Sequence, residues 1–214
     1  GNLYDIMSWL RLPPILLGKN WLNIFRFLLP AYNVAAFFYY LYSDNYFWLA
    51  AGVIVSWSFI GAYSKRISHQ HNLLGKKQSI LEQYASVLTY FSKVEAGNSQ
   101  LLQREQGMAR SAHAAIKQLS RLASFFDQRL NFLVNLFLNS FFMYDIQCLW
   151  ALETWKKTHA GHFNEWIHCV GSIETLNSLA TYAFNYPKHT YPTVNESIVG
   201  ISTEQLAHPL IPEQ

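Results

Sequence analysis

Apolar positions fall into two regimes along this chain. Between Arg26 and Lys65 they are almost continuous: the stretch FLLPAYNVAAFFYYLYSDNYFWLAAGVIVSWSFIGAYS carries a single charge, Asp44. That charge splits it into runs over residues 27–42 and 46–63, each near the lower end of the roughly 17–25 residues with which a helix crosses a bilayer. From Arg66 onward the spacing changes to three- and four-residue steps, the period of an amphipathic helix. Ile80, Tyr84, Val87, Leu88, Phe91 and Val94 mark one such helix, which EAGNSQ ends near Ala96 through Gly97 and Asn98. A second pattern runs from about Ser111 to Thr158, with Ile116, Leu119, Leu122 and Ala123 on one stripe. A third passes through Trp166, Val170, Ile173, Leu176, Leu179, Ala180 and Phe184 and stops before NYPKHTYP, because Pro187 and Pro192 cannot continue a helix. Gly161 is expected to break the chain between these two, and SIVGIS (residues 197–202) to form a short strand.

The pattern predicts an all-α fold: a long-helix bundle with an N-terminal apolar helical hairpin and a short β-containing C-terminal tail. Three segments follow. Residues 1–65 hold an interfacial segment and the hairpin, residues 66–187 a helical core, and residues 188–214 a linker. Within the core, FFDQRLNFLVNLFLNSFFMYDIQCLW has no charge between Arg129 and Asp145, so a third span has to be considered. Asn131, Asn135 and Asn139 recur every four residues and form a polar stripe that is costly against lipid. A buried core helix is the expectation there.

Charge sharpens the hairpin. Charged residues make up only 14% of the chain, against roughly 25% in ordinary water-soluble domains. Lys19 and Arg26 precede the first run and Lys65, Arg66, Lys76 and Lys77 follow the second, whereas the connecting SDN is negative. This is the positive-inside pattern of a multi-pass membrane protein with both termini cytoplasmic. Tyr39, Tyr40, Tyr42, Tyr46 and Trp48 lie beside the turn, where aromatic rings favour the headgroup layer. The competing reading is a pair of helices fully buried in a water-soluble bundle. Ahead of the hairpin, LYDIMSWLRLPPILLGKNWLNIFRF mixes Trp9 and Trp21 with Arg11, Lys19 and Arg26, which suits a segment lying in the interface. The net charge of +3 is spread over several segments, giving little support for nucleic-acid binding.

Candidate chemistry is sparse. HAGHFNEWIHC offers His159, His162, His168 and Cys169, but their spacing completes no four-ligand zinc set. Cys148 and Cys169 have no CxxC partner and read as reduced thiols. Asn195 opens a glycosylation sequon that means nothing on a cytoplasmic segment. LLGKKQS has Gly75 and Lys76, yet Gln70 stands where a phosphate-binding loop needs its first glycine. No catalytic, cofactor-binding or metal-binding residue is assigned.

Taken in order, four segments resemble the core and lever region of the MutS superfamily. They are FFDQRLNFLVNLFLN, with Asp127, Arg129, Asn131 and Asn139; MYDIQCLWALETWK; IETLNSLATYAFNYP, with Pro187; and AHPLIP, with His208 and Pro209. With the hairpin, the chain is similar to MutS-related proteins that carry two N-terminal membrane spans in place of mismatch-recognition domains. The resemblance implies an ATPase domain opening at the His-Pro segment, with ATP and Mg bound there, and a homodimer formed through that domain. The chain itself would be a non-catalytic core and lever module coupling ATP-driven motion to a membrane, DNA or a partner. A DNA-binding clamp related to mismatch repair and a membrane scaffold are the alternatives.

Overall fold

The computed structural model describes residues 2–189, 192–194 and 200–204. All regular structure among them is helical: α1 (Asn2–Arg11), α2 (Asn20–Ser43), α3 (Phe47–Leu74), α4 (Gln78–Phe91), α5 (Gln100–Asp127), a 3-10 turn (Gln128–Leu130), α6 (Phe132–Phe142) and α7 (Tyr144–Asn185). Contacts divide the chain into Gly1–Leu176 and Asn177–Gln214. In the second unit α7 ends at Asn185, just ahead of Pro187, and the Tyr182 hydroxyl meets His189 Nδ1 at 2.6 Å. Residues 200–202 form no strand. The rest of SIVGIS lies outside the described residues, as do His208 and Pro209.

In the first unit α2 and α3 form the apolar helical hairpin the sequence predicts. α2 closes on Asp44, whose left-handed backbone (φ 52°) turns the chain while its N–H donates to the Tyr40 carbonyl at 2.9 Å. The Asn45 side chain then accepts the Phe47 N–H at 3.0 Å, satisfying the first main-chain donor of α3. Beyond the hairpin, α4 and α5 pair antiparallel. Ser120 Oγ reaches the Gln78 carbonyl at one end, and Arg110 Nε reaches the Ser92 carbonyl at the other. Small side chains allow this close pairing: Ala109, Ala112 and Ala123 share a buried stripe of α5 with Ile116 and Leu119, facing Leu81, Ala85 and Leu88. Leu149, Leu152, Trp155, Phe163 and Trp166 of α7 complete the core, and Trp155 Nε1 donates to the Ala115 carbonyl at 2.9 Å.

The segment before the hairpin lays one face on the core: Ile6, Trp9 and Leu16 are fully buried, with the Trp9 ring 6.3 Å from that of Trp155, and Tyr4 is exposed. Three local expectations change. α4 ends at Phe91, short of Ala96. The pattern over 111–158 is three helices, because α5 starts at Gln100 behind the Ser99 cap and the chain breaks at residues 128–131 and again at Met143. Asparagines cause both breaks by satisfying main-chain donors at helix starts, a role in which Asn competes with continuous helix. Asn131 accepts the Val134 N–H at 3.3 Å and Asn139 accepts the Asp145 N–H at 2.9 Å. Gly161, in contrast, breaks nothing and lies inside the 42-residue α7. One exposed glycine costs a helix about 1 kcal/mol, less than the burial of Phe163 and Trp166 returns.

Candidate membrane interface and polar junction

The helical hairpin is built inside out compared with the rest of the first unit. Only 17% of the apolar window in each of α2 and α3 is buried, so these are not helices enclosed by a bundle. Both are long and apolar enough to cross a membrane. Phe27, Leu28, Phe38, Leu41 and Ile54 each leave more than half of their surface exposed, whereas Asn33 and Ser56 have none. Asn33 Nδ2 donates to Ser56 Oγ and to the Ser140 carbonyl of α6, both at 2.9 Å. Ser56 Oγ donates to the Gly52 carbonyl at 3.0 Å, and Trp57 Nε1 to Ser140 Oγ at 3.0 Å. Gly52 permits this approach, because a Cβ there would collide with the Asn33 and Tyr32 side chains. Small residues inside, polar groups paired between helices and large apolar groups outside are the features of helices packed in lipid.

α6 departs furthest from expectation. In place of a buried core helix, the structure places Phe132, Leu133, Leu136, Phe137 and Phe142 outward, 42–74% exposed. Asn139 is fully buried and bonded to Asn135. Of the polar stripe read from the sequence, Asn139 faces the protein and Asn135 is half-buried beside it, while Asn131 is the exposed cap ahead of α6.

At the base of the hairpin the charged groups converge. Asp127 at the end of α5 accepts His71 Nε2 at 2.8 Å and the Lys76 N–H at 2.9 and 3.1 Å. Those bonds hold Lys76 in a left-handed conformation (φ 60°) and so set the turn from α3 to α4. Arg129 Nη2 lies 3.3 Å from Asp145 Oδ2, linking the 3-10 turn to the start of α7. Arg26 of α2 donates to Gln147 Oε1 at 3.1 Å, and Gln147 Nε2 returns a bond to the Arg26 carbonyl at 2.6 Å. Of the residues carrying the resemblance, Asp127, Arg129, Asn131 and Asn139 thus gather at this junction. Pro187 is an exposed turn residue in the other unit.

Two further charged residues, Glu153 and Lys156, were not singled out by sequence. The Glu153 carboxylate, 1% exposed, accepts the main-chain N–H groups of Ile15, Leu16 and Leu17 at 2.5–3.0 Å. One turn along, Lys156 Nζ donates to the carbonyls of Trp9 and Leu12 at 3.5 and 3.0 Å. Burial pushes the Lys156 ammonium below its ordinary pKa, against the opposing pull of Glu153. Together they bind α1 and the PPILLG loop onto α7. The available signal was two charges three residues apart flanked by Leu149, Leu152 and Trp155, a place where an unpaired charge would not be tolerated.

The histidine-rich stretch diverges instead of converging. His159 stacks on Trp155, His162 faces Glu165 at 3.5 Å and Cys169 turns inward to the Glu105 carbonyl. No group of three or more His, Cys, Asp or Glu side chains among the described residues is placed to hold a metal. An open groove of about 360 Å³ lies between Arg26, Leu122, Trp150 and His159, with the Arg26 guanidinium 4.5 Å from the Trp150 ring. No protein-family model, curated protein or solved structure matches this chain.

Proposed function

We propose that this chain is the membrane-anchored, non-catalytic helical module of a MutS-like ATPase, coupling ATP-driven motion to the membrane or a membrane-bound partner. The anchoring half rests on one observation, the reversal of polarity in the hairpin: Asn33 and Ser56 are enclosed while Phe27, Leu28, Phe38 and Ile54 are exposed. In water such a surface drives association, whereas in lipid it is the low-energy arrangement. The lysines and arginines flanking the hairpin support a cytoplasmic side for the helical body.

The ATPase half rests on the resemblance. What supports it is that Asp127, Arg129 and Asn139 bond across the junction where hairpin and helical body meet, with Asn131 capping α6 beside them, as expected of positions that transmit force. The coupling element is α7. Within the first unit it runs from Tyr144 to Leu176, about 50 Å of helix, and the reciprocal bonds between Gln147 and Arg26 tie it to α2. Rotation applied to α7 would reach the hairpin through these bonds and the Arg129–Asp145 pair.

Alkaline extraction of membranes from cells expressing the chain tests the anchor. The expected result is retention in the pellet; release into the supernatant would overturn it. ATP hydrolysis by the native protein, including any residues that follow Gln214, tests the ATPase half. Absence of activity together with absence of a phosphate-binding loop would remove it.

A further inference from the structure

We infer that α6 is a lipid-embedded helix lying within one leaflet, making a three-helix membrane element of α2, α3 and α6. The inference rests on the membrane reading of the hairpin and goes beyond it, since the helix is not one of the two spans.

Polarity comes first. α6 turns the Asn139 side chain onto the Asp145 N–H, the Ser140 carbonyl onto Asn33 and the Ser140 hydroxyl onto Trp57, and turns Phe132, Leu133, Leu136 and Phe137 outward. A helix on a water-facing core would show the opposite. Its neighbours come second. α6 packs on α2 and α3, with Phe141 5.7 Å from Phe37, so its outer face continues the apolar surface of the hairpin. Length and direction come third. Eleven residues make about 16 Å of helix, half of the roughly 30 Å hydrocarbon core, and at Met143 the chain bends 82° into α7. α6 therefore enters and leaves on the same side. Both exits are charged and face the helical body, since Arg129 and Asp145 meet at 3.3 Å and Gln147 bonds Arg26 at the start of the first apolar run. The occupant of the outer face is thus the acyl-chain region of the cytoplasmic leaflet.

Single cysteines at Leu133→Cys and Phe137→Cys, labelled with an environment-sensitive fluorophore in protein reconstituted into phosphatidylcholine vesicles, test this. Phe38→Cys and Ile54→Cys report on the hairpin, Lys117→Cys on the water-facing body, and unsubstituted protein corrects for Cys148 and Cys169. The expected result is that nitroxide-bearing lipid removes most of the emission at 133, 137, 38 and 54 and iodide almost none, with the reverse at 117. Iodide quenching at 133 and 137 alongside lipid quenching at 38 and 54 would overturn the α6 inference and leave the hairpin standing. Shielding of 133 and 137 from both quenchers would also overturn it, in favour of a covering protein surface. Iodide quenching at all four would overturn both.

Discussion

Glu153 shows how much one side chain can organise. Its carboxylate serves three consecutive main-chain donors in a segment, PPILLG, that forms no helix and would otherwise bury those groups unpaired. Replacing it by glutamine keeps the shape but removes the charge and one acceptor. The change should cost about 1.5–3 kcal/mol, seen as a lower midpoint of thermal unfolding of the detergent-solubilised chain; an unchanged midpoint would mean the latch carries no stability. Cys169 offers a pH-dependent counterpart. Burial, with Glu105 alongside, pushes its thiol up to about 12. The folded state therefore keeps this proton at pH values where the unfolded chain, near the ordinary thiol value of about 8.5, has lost it. Stability from this site is complete below that value and declines as pH rises above it. Maleimide at pH 8 should leave Cys169 unlabelled until denaturant is added, and rapid native labelling would contradict its burial.

Among elements, the hairpin and α6 share one logic, and Gly52 is where it can be broken. Gly52→Leu would drive a side chain into Asn33 and Tyr32 and separate the polar cluster. The expected result is loss of the Asn33, Ser56 and Ser140 bonds and a drop in unfolding temperature, while Gly61→Leu, at a site open to its surroundings, leaves it unchanged. Equal effects from both would contradict the close crossing of α2 and α3. The helices themselves were largely legible from spacing, because continuous apolar runs and three-to-four periodicity are properties of local sequence. The Asp44 turn and the stop before Pro187 were legible for the same reason. Less legible were the breaks at Asn131 and Met143, where side-chain caps decide, and the uninterrupted passage of α7 through Gly161, where burial of Phe163 and Trp166 outweighs a local propensity. The stripe of asparagines on α6 was visible, but which way it faced was not. Periodicity gives the angle between polar and apolar faces and leaves open which one meets the protein.

For the whole molecule the composition has a physical reading. A chain of 51% apolar and 14% charged residues divides its apolar surface between a core around Trp9, Trp155 and Phe163 and an outward-facing set on α2, α3 and α6. Asp127, Arg129 and Asn139, three of the positions bearing the resemblance, lie where these two regions join, and Glu153 and Lys156, which hold α1 to α7, lie on the core side of that line. In a coupled machine, substitutions at this joint should leave membrane retention intact and weaken coupling. Arg129→Met together with Asp145→Met, which removes the pair without leaving a lone buried charge, is expected to leave alkaline-resistant membrane association unchanged and to lower ATP turnover of the native protein. Unaltered turnover would detach the joint from coupling. Membrane crossing itself is tested most directly by sided labelling. In intact spheroplasts carrying Asn45→Cys at the hairpin turn or Lys93→Cys at the end of α4, an impermeant maleimide should label position 45 from outside and reach position 93 only after lysis. Labelling of both positions before lysis, or of neither until lysis, would contradict a hairpin that crosses the bilayer.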